Sequence, residues 1–454
     1  MKLTKEHYIL IALTTLGAIF RLYNLGRESL WLDEAATLMF VESGFFGMWE
    51  HFTTWEPNPP LFIWLTIPIV SIVKSEFTLR LIPAIAGIAT VPAIYYLGKV
   101  WRNSTTGLVA ASLLALSPLH IYYSQEARAY SLVTLFAVLM LYCFLKAMET
   151  KEYKWWAFTS VCAGLALWTH LYAGILIAAI YMYAFFDAWT NKDKLKRVLV
   201  SSVIFTWVVL PIILVGYHLA KIRIGGGAVF GIKGIYVITD LLWNFGNYTN
   251  WIAVIFVALA CIGIYLIHRD DKKKSFFVIF VLAVVFGASV ILSYSMPMVA
   301  RYLLFLLPLF LLLVAESLNL VRDRRFQVIA VCSLLALSVP TFTIYYSGAY
   351  IKDDWRGFGS YLQHTTKDGD TVILIPGYLN LPLANYYNSS DDHTTMVLVS
   401  NMSDLTTGIV PGSTWVVVTP DVNAVPELRS VPTLLNEHGK PISRWVYSID
   451  LYRF

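Results

Sequence analysis

Charge is what this sequence has least of. Asp, Glu, Lys and Arg together make 14% of its 454 residues, where a soluble domain carries roughly a quarter. With 57% apolar residues and a mean hydropathy of +0.63, that shortfall excludes an ordinary water-soluble globule. Cysteine is scarce too. Cys143, Cys162, Cys261 and Cys332 each fall inside an apolar run, which excludes a disulfide framework or a zinc ribbon and leaves small packing residues. The basic residues form no stripe of the kind that binds nucleic acid. The first apolar run has no small-residue cleavage site and ends in Arg21-Leu-Tyr-Asn-Leu-Gly, so a retained signal anchor is expected there.

Long apolar runs are what the chain has in abundance. Segments near 7–25, 79–100, 106–122, 128–147, 155–169, 172–190, 198–218, 250–267, 276–295, 299–320 and 326–346 read as membrane-spanning helices, which need about 20 apolar residues each. One further segment, NPPLFIWLTIPIVSIV at 58–73, has 16 residues and three prolines. Basic residues decide whether it crosses. With 58–73 lying along the interface and the N-terminus inside, the cytoplasmic loops hold 18 Lys and Arg and the opposite side nine. A crossing at 58–73 would turn every later cluster outward. The expectation is therefore about eleven crossings of the cell membrane, a cytoplasmic N-terminus and an extracytoplasmic C-terminus. The loops holding LDEA at 32–35 and SQEARAY at 124–130 then share the outer face.

From about residue 350 the apolar runs shorten to strand length: TVILIPG at 371–377, MVLV at 396–399, WVVVTP at 415–420 and RWVYSIDLY at 444–452. Segments 353–364, 379–388 and 425–437 between them read as short helices or turns. That alternation predicts a small α/β domain over 349–454, following a membrane domain over 1–348 whose external loop 27–78 carries interfacial helices. The C-terminal region holds seven Lys/Arg against eleven Asp/Glu. No glycine-rich phosphate loop follows its strands, so a supporting or acceptor-binding role is expected.

Ionisable residues near a bilayer need a reason, and a few stand out. Asp33 and Glu34 follow the first helix. Asp33 suits either an N-cap for the helix that follows or a general base whose pKa partial burial would raise. In SPLHIYYSQEARAYSL, 117–132, Glu126 suits an orienting carboxylate or a structural ion pair, and Arg128 an anion. Arg301, with Tyr302 beside it, stands at the outer end of the tenth helix, where a guanidinium either snorkels or holds phosphate. His170 lies in a tight outer turn and Glu56 just before the interfacial segment; both are candidates for substrate or for a divalent metal. Lys221 and Arg223 open the glycine-rich loop 221–234, a candidate cover for an anionic substrate.

These motifs, in this order, resemble the GT-C class of polyprenyl-phosphate-sugar-dependent glycosyltransferases, in the branch of protein O-mannosyltransferases and lipid A aminoarabinose transferases. The resemblance rests on LDEA, NPPLFIW, TLRLIPAIAGIATVPAIYYLGKVW, SPLHIYYSQEARAYSL and ARYLLFLLPLF, covering most of 20–320. It implies that Asp33 is the catalytic base, Glu34 its acidic neighbour, Glu126 the second external acid, and Arg301 a residue near the donor phosphate. The aminoarabinose branch has an acid nearer the Pro-Pro pair, where this chain has Pro57-Asn58. The function implied is transfer of a sugar, with inversion, from a polyprenyl-phosphate donor to a hydroxyl of a protein, lipid or polysaccharide. No cofactor beyond a divalent metal is implied. Two rival readings are a flippase of lipid-linked glycans, which predicts charged or broken helices near the bilayer midplane, and a membrane-anchored glycan-binding protein, which predicts dispensable external carboxylates.

Overall fold

A computed structural model describes residues 4–223, 231–346, 351–390, 394–405, 413–438, 441–445 and 449–454. By contact the chain divides into two compact units. The first is helical and comprises 1–23, 43–73 and 80–344. The second comprises 24–42, 74–79 and 345–454.

All eleven apolar runs are helical in the first unit. Among the described residues seven helices are long and apolar enough to cross a membrane: Leu81–Trp101, Tyr130–Glu149, Lys192–His218, Asn250–Asp270, Lys272–Leu292, Ala300–Leu320 and Arg324–Tyr346. Lys5–Leu22, Tyr153–Thr169 and Ala173–Ala188 are short or carry charge, with 18, 17 and 16 residues. The helix Ala300–Leu320 is the centre of the bundle, 83% of it buried, against 11% of Arg324–Tyr346. Exposed side chains on the peripheral helices are apolar, among them Ile291, Val254 and Phe186, as a bilayer solvent requires. Cys261 and Cys332 are also exposed, so only Cys143 and Cys162 fill the expected packing role. The interfacial segment forms Leu61–Val70, ten residues with Pro68 inside it. At 1.5 Å per residue it rises about 15 Å, half a hydrocarbon core.

Two apolar runs are not the straight α-helices the sequence suggests. The run at 106–122 breaks into Ser104–Ala115 and Pro118–Ser124, bent by 61°. Pro118 lacks the amide that would continue the first helix, and Ser117 caps the second by accepting from the His120 amide. The break frees carbonyls, and Arg21 takes them up. Its guanidinium donates to Leu114 and Ala115 at 3.1 and 3.0 Å and meets His120 Nδ1 at 2.9 Å. Gly87 makes room for this, since a Cβ there would lie 2.1 Å from Ser124 Oγ. The second departure is at 299–320, where Ala300–Leu306 is a 3-10 helix before Leu307–Ser317 turns α-helical with Pro308 in its first turn.

The second unit holds a five-stranded sheet: β1 Thr371–Ile375, β2 Thr395–Leu398, β3 Thr414–Val418, β4 Ser443–Trp445 and β5 Ile449–Arg453, in the order β2-β1-β3-β5-β4. β2, β1 and β3 are parallel, and β5 and β4 antiparallel. The expected strand at 444–452 is thus two strands. Alternation along the strands gives two cores: Val372, Leu374, Trp415, Val417 and Leu451 face Trp355, Phe358 and Leu362, while Ile373, Ile375, Val416 and Val418 face Val422, Leu428 and Val431. A mixed sheet with a parallel β2-β1-β3 part, covered on both faces, follows. The unit also includes the helix Leu32–Glu42, which packs on Asn380–Leu383.

Candidate functional site

The sequence-predicted residues fall in both units. Asp33 and Glu34 lie in the second, in the first turn of Leu32–Glu42. The helix starts before Asp33, so Asp33 is not its N-cap; both carboxylates sit where the helix dipole favours negative charge. Their environments differ. Asp33 is partly exposed, while Glu34 is fully buried and pairs with Lys352 at 3.0 Å, itself 8% exposed. An accessible carboxylate can meet an acceptor, and a buried, paired one holds its helix in place.

The segment around Asp33 is anchored throughout by the α/β unit. Ser29 Oγ donates to the Asp353 carbonyl at 2.7 Å and accepts from the Trp355 amide at 3.1 Å. Tyr386 Oη accepts from the Leu30 amide at 2.9 Å and donates to Glu76 at 2.8 Å. Arg356 pairs with Glu76 and donates to the Arg27 carbonyl at 2.9 Å. Asp353 and Asp33 also act on Asp421: its carboxyl is raised above the usual range by desolvation and then by those two negative charges. Lys352, Asp353 and Asp421 carried no signal in the sequence, because nothing marks polar residues more than 300 positions downstream as neighbours of LDEA.

The cationic candidates lie in the helical unit and converge. Glu126 and Arg128 occupy the turn between Pro118–Ser124 and Tyr130–Glu149, where the Arg128 backbone N–H donates a hydrogen bond to the Glu126 carbonyl at 2.7 Å. Gln125 fixes the turn by donating to the carbonyls of Phe20 and Tyr23 at 3.0 and 2.8 Å. Glu126 is buried and, like Arg301, acts electrostatically on Tyr123. His170, also buried, packs among three tyrosines, with ring centroids 5.7 Å from Tyr130, 5.5 Å from Tyr172 and 5.4 Å from Tyr302. Its pKa is held down to about 3 by burial, then by the charges of Arg128 and Arg301. The imidazole is therefore neutral, and two guanidiniums from separate segments bear on one spot. Arg301 stands 5.7 Å over the Tyr302 ring.

Neighbouring groups hold that corner. Tyr172 Oη donates to the Pro297 carbonyl. Gly231, at φ +97°, lies so close to Met298 that a Cβ would meet its backbone at 2.7 Å, and Ile232 donates to the Met298 carbonyl at 2.8 Å. Asp240 accepts from the amide of Ala300, at the start of the 3-10 helix bearing Arg301 and Tyr302; burial raises its pKa and that bond opposes the rise. Sequence reasoning missed Asp240, Tyr130 and Tyr172. The side chains of Lys221 and Arg223, in the last turn of Lys192–Arg223, and the loop 224–230 lie outside the described residues.

The two metal candidates, Glu56 and His170, have different surroundings. Glu56 Oε1 accepts from both the amide and the side chain of Asn58, and His170 sits in the field of two arginines. No group of three His, Cys, Asp or Glu among the described residues could hold an ion.

Residues 57–215 match the model of the dolichyl-phosphate-mannose-protein mannosyltransferase family. No curated protein matches the chain by sequence. The fold is shared with ArnT from Cupriavidus metallidurans bound to undecaprenyl phosphate, at 12% identity and a TM-score of 0.61 over 97% of each chain. It is shared also with the Archaeoglobus fulgidus oligosaccharyltransferase solved with zinc and sulfate, at 12% identity and a TM-score of 0.54 over 91% of this chain and 68% of that one. The same archaeal protein, AglB, in complex with an inhibitory peptide and a dolichol-phosphate aligns at 11% identity and 0.54 over 92% and 70%. The chain thus shares its fold with ArnT and with the archaeal oligosaccharyltransferase, and its residues 57–215 resemble the dolichyl-phosphate-mannose-protein mannosyltransferase family.

Proposed function

We propose that the chain transfers a sugar from a polyprenyl-phosphate donor to an acceptor hydroxyl at the extracytoplasmic membrane face, with Asp33 as general base. The observation that carries this reading is the convergence of Arg128 and Arg301 on a neutral, buried His170 ringed by tyrosines. Guanidinium geometry suits a phosphate, and tyrosine rings suit the faces of a sugar. Two solved neighbours bind a polyprenyl or dolichyl phosphate, which supports the donor class.

In this mechanism the acceptor O–H gives its proton to Asp33 as the oxygen attacks the anomeric carbon from the face opposite the leaving group. The bond from that carbon to the phosphate oxygen breaks, and the lipid phosphate departs. Arg128 and Arg301 stabilise the charge that develops on it. Glu34, neutralised by Lys352, positions the helix that carries Asp33. The acceptor is a hydroxyl of protein, lipid or polysaccharide; a neighbour tethered to an acceptor peptide makes peptides the first class to try.

The test is turnover of radiolabelled polyprenyl-phosphate sugars by the full chain in liposomes, wild type against Asp33→Asn, with donor binding measured in parallel. Loss of a positioned general base costs about 10²–10⁴-fold. The expected result is turnover reduced on that scale with donor binding kept. Full activity in the variant overturns the assignment of the base. Failure of the wild type to bind any such donor overturns the proposal itself.

A further inference from the structure

Three helix ends meet on the face opposite the candidate site in the charge topology. Ala173–Ala188 ends there, and Lys192–Arg223 and Lys272–Leu292 begin there. Both oxygens of Asp187 are taken, one by Lys194 and the other by Lys273 at 2.6 Å. Asp187 is 10% exposed and Lys194 15%, so this pairing is shielded from water. Arg197 adds its charge within electrostatic reach of Lys194, as Lys273 does. Its Nε is buried with no hydrogen-bond partner among the described residues.

The remaining nearby acids do not relieve the surplus. Asp270 is held by Arg102 and Arg269. Asp271 caps Lys272–Leu292 by accepting from the Lys274 amide. Asp193 makes no ion pair among the described residues. Lys194 and Lys273 therefore share one carboxylate, and the Arg197 charge adds to theirs. Beside them lie large apolar side chains turned outward: Phe186 is 64% exposed and Trp189 78%, and Phe186 packs against the half-exposed Phe276 at 5.5 Å. A positive surplus at helix ends above an outward aromatic shelf matches an amphiphile with an anionic head. Interfacial aromatics meet the acyl boundary, and basic pockets between spanning helices hold acidic headgroups.

We propose that this corner binds an anionic phospholipid, its phosphate on Arg197 and Lys273 and its acyl chains along Phe186, Trp189 and Phe276. The proposal is independent of the transferase reading. The probe is phosphatidylglycerol against phosphatidylcholine, titrated into the purified full chain and read by native mass spectrometry. Wild type is expected to retain phosphatidylglycerol preferentially, and Arg197→Gln/Lys273→Gln to lose that retention by roughly tenfold or more, each basic residue near an anionic surface contributing about fivefold. Lys151→Gln, which removes one such charge on another loop as Lys273→Gln does here, should leave it intact. Equal retention of the two lipids, or retention undiminished in the double variant, overturns the proposal. An equal loss in Lys151→Gln overturns it too, since bulk charge would then account for binding. Displacement by millimolar inorganic phosphate overturns the assignment to a lipid. Should the double variant fail to fold, Lys273→Gln alone, at a position 63% exposed, carries the same comparison.

Discussion

Arg301 shows how a residue's surroundings turn a legible signal into a testable role. In the sequence it is a lone charge at the end of an apolar run, where snorkelling and phosphate binding are equally natural. In the fold it stands over the Tyr302 ring, and its charge helps to keep His170 neutral. Arg301→Gln is expected to weaken donor binding by roughly ten- to hundredfold, since a charge-assisted hydrogen bond contributes about 1.5–3 kcal/mol. Arg301→Lys should recover part of it, as a point charge without the planar fork. Equilibrium binding of a fluorescent polyprenyl-phosphate sugar reads both; unchanged affinity in Arg301→Gln removes the residue from the donor site. What could not be read from the sequence is Asp240, whose bond to the Ala300 amide fixes the helix bearing Arg301 from 60 residues away.

The helix Leu32–Glu42 is the element on which the catalytic proposal turns, and its stability is tied to the α/β unit. Glu34 is wholly buried and Lys352 nearly so. Removing one partner leaves a charge uncompensated, a loss of about 3–5 kcal/mol. Lys352→Met should therefore lower the thermal midpoint of the detergent-solubilised chain, and Glu34→Gln/Lys352→Met should restore much of it. A midpoint unmoved in the single variant would deny the pair its structural role. Glu76 sets a pH dependence in the same unit. Desolvation raises its pKa, but its bonds to Arg356 and Tyr386 outweigh that, so the folded value lies below 4.5. A lowered carboxylate stabilises the fold above its unfolded pKa and loses that contribution as pH falls through the folded value. The stability gap between wild type and Glu76→Gln should then be full at pH 7 and shrink below about pH 4.5. The sequence showed these elements in part: strand alternation marked the sheet, but pairing of residues 24–42 with the domain 320 residues later is long-range and leaves no periodic trace. The break at Ser117-Pro118 did leave a local signal, masked by the even hydropathy of 106–122.

At the scale of the whole molecule, the apolar runs were legible because a bilayer needs length and hydropathy, and both are local properties. The count was less so, since four of the eleven runs fall short of a plain crossing among the described residues, three by length or charge and the one at 106–122 by its bend. Orientation rests on arithmetic: 18 basic residues on one set of loops against nine on the other, the bias that keeps such loops cytoplasmic. It can be tested directly with single cysteines, after replacing the exposed Cys261 and Cys332. Ser390 is exposed in the α/β unit, and Arg322 is exposed in the loop before Arg324–Ala336. With a membrane-impermeant maleimide on intact cells, Ser390→Cys should label at once and Arg322→Cys only after lysis. The reverse pattern would put Asp33 and the α/β unit in the cytoplasm. That would overturn the external site, because Leu32–Glu42 and the α/β unit form one compact unit and must share a side of the membrane.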